Sequence, residues 1–248
     1  MQKLIVANWK LNPMTAREAV RLARAEDAEN VIVAAPFPFL EAVRAALHKS
    51  TLGAQDVFYE AKGAYTGQVA PPMLRSLGVR YVIIGHSERR YPPAGEGETD
   101  AVVRKKIEAV FAEKLAPILC VGEPWNVRKK GLAAAKRFVL RQLRTALRGI
   151  EKLKIEGLII AYEPVWAIST GKADEPAETA EMARFIKKSL KTKNYKPKTI
   201  RVLYGGSVTS RNAEAFLEEK DVDGVLVGRA SLKAASFGKI ITAASLKN

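Results

Sequence analysis

The chain has 248 residues, 48% hydrophobic and 27% charged, a composition that excludes a disordered segment and suits one large domain or two small ones. Lys and Arg number 41 against 26 Asp and Glu, a net charge of +15, which leaves nucleic acids, acidic membranes and phosphorylated small molecules open as partners. The single cysteine, Cys120, excludes an internal disulfide framework and points away from an oxidising compartment.

The apolar run Leu4–Ala7 is the first expected strand, and Thr15 is placed to cap a helix running to about Ala25. Val31–Ala35 is the second strand, Phe39–Leu47 the second helix, and Gly53-Ala54 closes a weak third strand. Tyr81–Ile84, the fourth, is followed by a helix over Thr99–Glu113, and Pro117–Val121, the fifth, by one over Leu132–Arg148. Leu158–Tyr162 is the sixth strand, followed by a helix over Ala177–Lys191. Val202–Tyr204 is the seventh, followed by Arg211–Glu219, and Gly224–Val227 is the eighth. Thr99 and Thr179 stand near expected helix starts with acidic neighbours.

The strand runs are continuously apolar, as parallel strands buried on both faces should be. Strands alternating with helices argue for βαβ units, and eight of them in this length argue for closure into an α/β, single-domain (β/α)₈ TIM barrel over residues 1–248. An open doubly wound sheet is the alternative, but its GxGxxG fingerprint is missing after the first strand. The N-terminal apolar run stops at Asn8, too short for a signal-peptide core, and no stretch is long enough to span a membrane. A cytoplasmic location is the expectation. The basic clusters at 104–106, 128–130, 187–188 and 191–198 sit on or beside expected helices without interleaved aromatics. Solvated outer helix faces are a simpler reading of them than a nucleic-acid surface.

A barrel of this kind builds its active site from the loops at the C-terminal strand ends. After the first strand come Asn8, Trp9 and Lys10; after the fourth, Gly85, His86, Ser87 and Glu88; after the sixth, Glu163. Gly205-Gly206-Ser207 follows the seventh strand and Gly228-Arg229 the eighth. Glycine-bearing loops at the last two strands suit a phosphate held by backbone N–H groups. A carboxylate can take a proton from carbon beside a carbonyl, a histidine can serve the oxygens, and a lysine can offset the negative charge that develops. Each residue has a plainer reading. His86 suits a structural role, Glu163 a surface carboxylate, Lys10 a solvated amine and the glycines ordinary turns. Glu123 reads as a structural ion-pair partner, Cys120 as core packing, and Trp166 as packing or a hinge anchor. The second histidine, His48, has no metal-binding partner motif.

Over essentially its whole length the chain resembles the triosephosphate isomerase family. The matching segments are Asn8-Trp9-Lys10, Gly53-Ala54-Gln55, 63–67, 85–90, 120–123, 161–166, 204–208 and 227–232, all in family order. The resemblance implies interconversion of dihydroxyacetone phosphate and D-glyceraldehyde 3-phosphate through an enediolate, in glycolysis and gluconeogenesis, with no cofactor. It implies Glu163 as base, His86 as the neutral partner of the enediolate oxygens, and Asn8 and Lys10 as positioning and charge-stabilising groups, with Glu88 orienting Lys10. It implies Ser169, Ser207, Gly228 and Arg229 as N–H donors to the phosphate, and 164–173 as a lid. It further implies a homodimer, with higher oligomers open, in which the 63–70 loop carries Thr66 to the partner's Asn8. Ser169 and Arg229 both stand where the family usually has glycine, and 91–97 looks longer and stiffer than the family's loop. A barrel acting on a different phosphorylated sugar, and a basic barrel that binds nucleic acid without catalysis, are the competing readings.

Overall fold

The structure is a computed structural model that describes residues 2–150, 157–168, 173–190 and 200–246. Eight parallel strands close into a barrel in chain order: β1 (Leu4–Asn8), β2 (Val31–Ala35), β3 (Thr51–Ala54), β4 (Tyr81–Ile84), β5 (Ala116–Val121), β6 (Ile159–Tyr162), β7 (Arg201–Tyr204) and β8 (Gly224–Val227). Closure is completed by β8 against β1, with Leu4 opposite Gly224 and Val6 opposite Leu226. The barrel expectation holds and the open sheet is excluded.

Strand alternation produces two apolar layers. Leu4, Val6, Ile32, Ala34, Ile83, Ile118, Cys120, Ile159, Ala161, Leu203 and Leu226 point into the barrel and form its inner core. Their neighbours in sequence, among them Ile5, Ala7, Val33, Leu119, Ile160 and Val225, point outward and pack under the helices. Both layers are apolar, so the strands read as unbroken hydrophobic runs.

The outer ring contains α1 (Ala16–Glu26), α2 (Leu40–Ala46), α3 (Pro71–Ser76), α4 (Ser87–Arg90), α5 (Asp100–Ala112), α6 (Trp125–Arg128), α7 (Leu132–Ala146), α8 (Pro176–Ser189), α9 (Ala213–Glu218) and α10 (Ala234–Ser245). Thr15 caps α1 by accepting from the Glu18 N–H at 3.2 Å, and Thr99 caps α5 by accepting from the Val102 N–H at 3.3 Å. Thr179 does something else. It is buried inside the first turn of α8, where its hydroxyl donates to Asp174 at 3.3 Å. The helix start belongs to Glu175 with Pro176 at the first helical position.

Candidate active site

The inward parity of the strands continues past their C-terminal ends and selects the residues that face the mouth of the barrel. Leu4 and Val6 lead to Asn8, Ile159 and Ala161 to Glu163, Leu203 to Gly205, and Leu226 to Gly228. The same parity on β5 leads through Ile118 and Cys120 to Gly122, where a Cβ would lie 1.7 Å from the Glu163 carbonyl oxygen. Glycine there lets the β5 and β6 ends approach closely enough for the Glu163 N–H to reach the Val121 carbonyl at 2.8 Å.

Glu163 is 2% exposed. Its Oε2 accepts from the Ser87 N–H at 3.0 Å, the first residue of the α4 turn. Its Oε1 is buried without a hydrogen-bond partner and lies 3.4 Å from His86 Nε2. The Cys120 thiol shares this surrounding. Burial first, and the Glu163 carboxylate second, push it well above the usual thiol range. Cys120 therefore remains a protonated, buried thiol, in keeping with the packing role.

Gly85 follows β4 at φ +68, and His86 then caps α4. The imidazole Nδ1 accepts from the Glu88 N–H at 3.2 Å. A nitrogen that accepts from a backbone N–H has its lone pair free, so the ring proton sits on Nε2, the edge that faces Glu163. The helix turn thus fixes both the orientation and the tautomer of His86.

Lys10 adopts φ +54, a left-handed conformation that a non-glycine residue rarely takes. Two neighbours hold it there. The Asn8 side-chain oxygen accepts the Lys10 N–H at 3.1 Å, and Trp9 is fully buried with its indole N–H donating to Glu26 at 2.9 Å. Burial pushes the Glu26 carboxyl up to about 8, a shift the Trp9 bond only partly offsets. The Lys10 ammonium pairs with Glu88 Oε1 at 2.5 Å. Half the Glu88 side chain is exposed, so the pair orients Lys10 more than it stabilises the fold.

The segment after Glu163 is tied at both described ends. Val165–Ala167 form a 3-10 turn, and the Trp166 indole N–H donates to Glu123 at 3.1 Å. Glu123 is fully buried and also accepts from the Tyr162 hydroxyl at 3.1 Å. Burial raises its carboxyl above the ordinary range despite these donors and Arg128 at 3.7 Å. Ser207 Oγ donates to the Ala167 carbonyl at 2.6 Å. Beyond the undescribed stretch, the Asp174 N–H donates to the Tyr204 hydroxyl at 2.9 Å, and the Asp174 carboxylate pairs with Arg128 at 3.1 Å. Arg128 also contacts Glu178. Burial pushes Asp174 up to about 6, against the pull of Arg128.

Asn8, Lys10, His86, Glu88, Ser207, Gly228 and Arg229 line one cavity of about 1040 Å³ at the barrel mouth. Glu163 is not among the residues that line it; the carboxylate is buried beside it, with Oε1 3.4 Å from His86 Nε2. An imidazole with an Nε2–H and an ammonium thus line the cavity beside two glycine loops, and the imidazole is in contact with a carboxylate that has one free oxygen. That arrangement can move a proton between neighbouring carbons of an anchored anion.

A family model described as triosephosphate isomerase matches residues 3–244. The chain belongs to the triosephosphate isomerase family. It is 46% identical over 250 residues to the triosephosphate isomerase of Moorella thermoacetica, covering 96% of this chain and 97% of that one. It is 44% identical over 248 residues to that of Thermus thermophilus, again over 96% and 97%. With that of a Thermoanaerobacter species the identity is 42% over 250 residues, covering 96% and 98%. The chain is therefore an isomerase of this family, and the nucleic-acid barrel is set aside as its primary activity.

The sequence placed the site residues at the strand ends and named Glu88 as the partner of Lys10, but it did not show their other supports. Ser87 lay in a quoted motif without a role, yet its N–H holds the Glu163 carboxylate. Asp174 and Tyr204 form a tie that no spacing announces. Glu123 proves to be a hydrogen-bond hub for Tyr162 and Trp166 with Arg128 nearby, which refines the ion-pair reading. Ser169, the expected lid donor, lies outside the described residues. Thr66 is exposed and is not among the described residues that line the cavity.

Proposed function

We propose that Glu163 Oε1 takes the proton from one carbon of dihydroxyacetone phosphate and returns it to the neighbouring carbon, giving D-glyceraldehyde 3-phosphate. The observation that carries this reading is the pairing of a buried, unpartnered Oε1 with His86 Nε2 3.4 Å away. Oε2 is occupied by Ser87, so the carboxylate is held while one oxygen keeps its lone pairs for the substrate. The His86 Nε2–H donates to the enediolate oxygens as charge builds on them. Lys10, held by Asn8, Trp9 and Glu88, places its ammonium toward the same charge. Ser207, Gly228, Arg229 and Ser169 supply backbone N–H groups to the phosphate. Turnover of glyceraldehyde 3-phosphate in a coupled assay tests the assignment. His86→Leu, which removes the N–H donor, lowers kcat by about 10²-fold or more.

The working protein is a homodimer of single-domain chains in the cytoplasm. Among the described residues, no helix is long and apolar enough to cross a membrane. Leu11 is 86% exposed, Met14 78% and Tyr65 45%, and large apolar side chains this exposed favour a covering partner. Thr66, beside Tyr65, reaches the partner's site in this assembly. Light scattering distinguishes the 27.2 kDa chain from its dimer.

A further inference from the structure

The active-site cavity is much larger than a three-carbon phosphate. Its volume of about 1040 Å³ extends past Ser207 and Gly228 along the loop after β7 and the start of α10. Four cations line this extension: Arg211, Arg229, Lys233 and Lys239. All four are exposed, and no carboxylate pairs with any of them among the described residues. Some cations on α7 and α8 are neutralised by carboxylates. Lys136 pairs with Glu181, Arg184 with Asp221 and Lys187 with Asp223. Around the cavity, Glu88 is the lining carboxylate, and Lys10 occupies it.

The cations stand on anchored backbone. Asn212, next to Arg211, donates through its amide to the Ser207 carbonyl at 2.9 Å and accepts from the Thr209 N–H at 2.7 Å. Arg229 opens a 3-10 turn that Ser231 closes by donating its N–H and hydroxyl to the Gly228 carbonyl at 2.9 and 2.8 Å. Lys233 follows directly, and its carbonyl starts α10 by accepting from the Ser236 and Phe237 N–H groups at 2.9 Å. Uncompensated like charge on a concave wall repels itself and attracts a multivalent anion. Four side chains with this charge exceed what one phosphate, already met by backbone N–H groups, requires.

The geometry points to a second anion subsite in this extension, one that takes the distal phosphoryl group of a small bisphosphate whose other phosphoryl group occupies the Ser207–Gly228 cradle. It rests on the proposed cradle and adds a ligand class to it. Bisphosphates of short polyols then act as competitive inhibitors, and the triose phosphate gains from the same field on approach.

The test compares trimethylene bisphosphate with propyl phosphate as inhibitors of the isomerase reaction, at low ionic strength. The proteins are the wild type and an Arg211→Ala/Lys233→Ala/Lys239→Ala variant. In the wild type the bisphosphate competes about tenfold more tightly than the monophosphate, the worth of one or two charge-assisted hydrogen bonds at an exposed rim. The variant loses that advantage and keeps its affinity for propyl phosphate. A bisphosphate no tighter than propyl phosphate in the wild type, or an advantage that survives in the variant, overturns the subsite while leaving the cradle. Failure of both compounds to compete overturns the cradle and the subsite together.

Discussion

Gly205 makes room for Glu163: a Cβ built on Gly205 would lie 2.8 Å from Glu163 Cγ and 3.5 Å from Oε1. The glycine follows β7 on the same inward parity that sends Glu163 toward the cavity after β6. Its Cα hydrogen is therefore one wall of the base's compartment.

Gly205→Ala displaces the Glu163 side chain, because the neighbouring Leu226 at 3.4 Å leaves the new methyl little alternative. A shift of about 1 Å at a reacting group costs about 10²-fold in rate. The expected outcome is that loss in kcat with a folded protein. Gly122→Ala instead drives a methyl into the Glu163 main chain at 1.7 Å, and calorimetry is expected to show a loss of about 4 kcal/mol or more.

Glu26 sets an alkaline limit to stability. Burial pushes its carboxyl up to about 8 in the fold, against about 4.5 for an ordinary glutamate. Between those values the native state keeps a proton that the unfolded chain has released, so stability falls as pH rises through the window. Below it the contribution is fully present; above about pH 8 the buried carboxylate is charged and the contribution is lost. Glu26→Gln can still accept the Trp9 bond and carries no charge. Melting curves across this range should flatten in the variant, which becomes the more stable protein at the alkaline end.

Tyr204→Phe tests the tie at the far end of the segment after Glu163. The ring stacks on Phe216 with centroids 4.0 Å apart, and phenylalanine preserves that packing. The Asp174 N–H loses its acceptor. A lost hydrogen bond of about 1–1.5 kcal/mol corresponds to about tenfold, expected in kcat/KM with only a small change in melting temperature.

Met14→Asp tests the dimer. The side chain is 78% exposed in the single chain, so a charge there is neutral for a monomer and disruptive at an apolar interface. Under the proposed assembly, light scattering reports dissociation, and turnover falls with it because Thr66 is withdrawn from the partner's site.

Much of the site was legible because strand geometry is local. A run that is apolar on both faces keeps a two-residue alternation, and extending it by one step leads to Asn8, Gly205 and Gly228, which line the cavity, and to Glu163, which stays buried beside it. The contacts that tune those residues join distant parts of the chain. Trp9–Glu26, Ser87–Glu163 and Asp174–Tyr204 leave no periodic trace. Helix α10 was missed because Lys233 gives no side-chain cap and its first turn holds no acidic residue, so neither start signal is present. The short α3, α4 and α6 turns are too brief to carry a 3.6-residue period. Thr179 does stand in the first turn of α8, as its spacing suggests, but Asp174, five positions earlier, takes its hydroxyl and Glu175 holds the cap position.

The most direct measurement is turnover of Glu163→Gln in deuterated water, with product labelling followed by proton NMR. Glutamine keeps the size and an oxygen for the Ser87 N–H but cannot take up a proton. The account predicts a variant that melts near the wild type, with turnover and deuterium incorporation at carbon both reduced by about 10³-fold or more. Turnover within about tenfold of the wild type would contradict Glu163 as the base, since no such loss of a general base is that small.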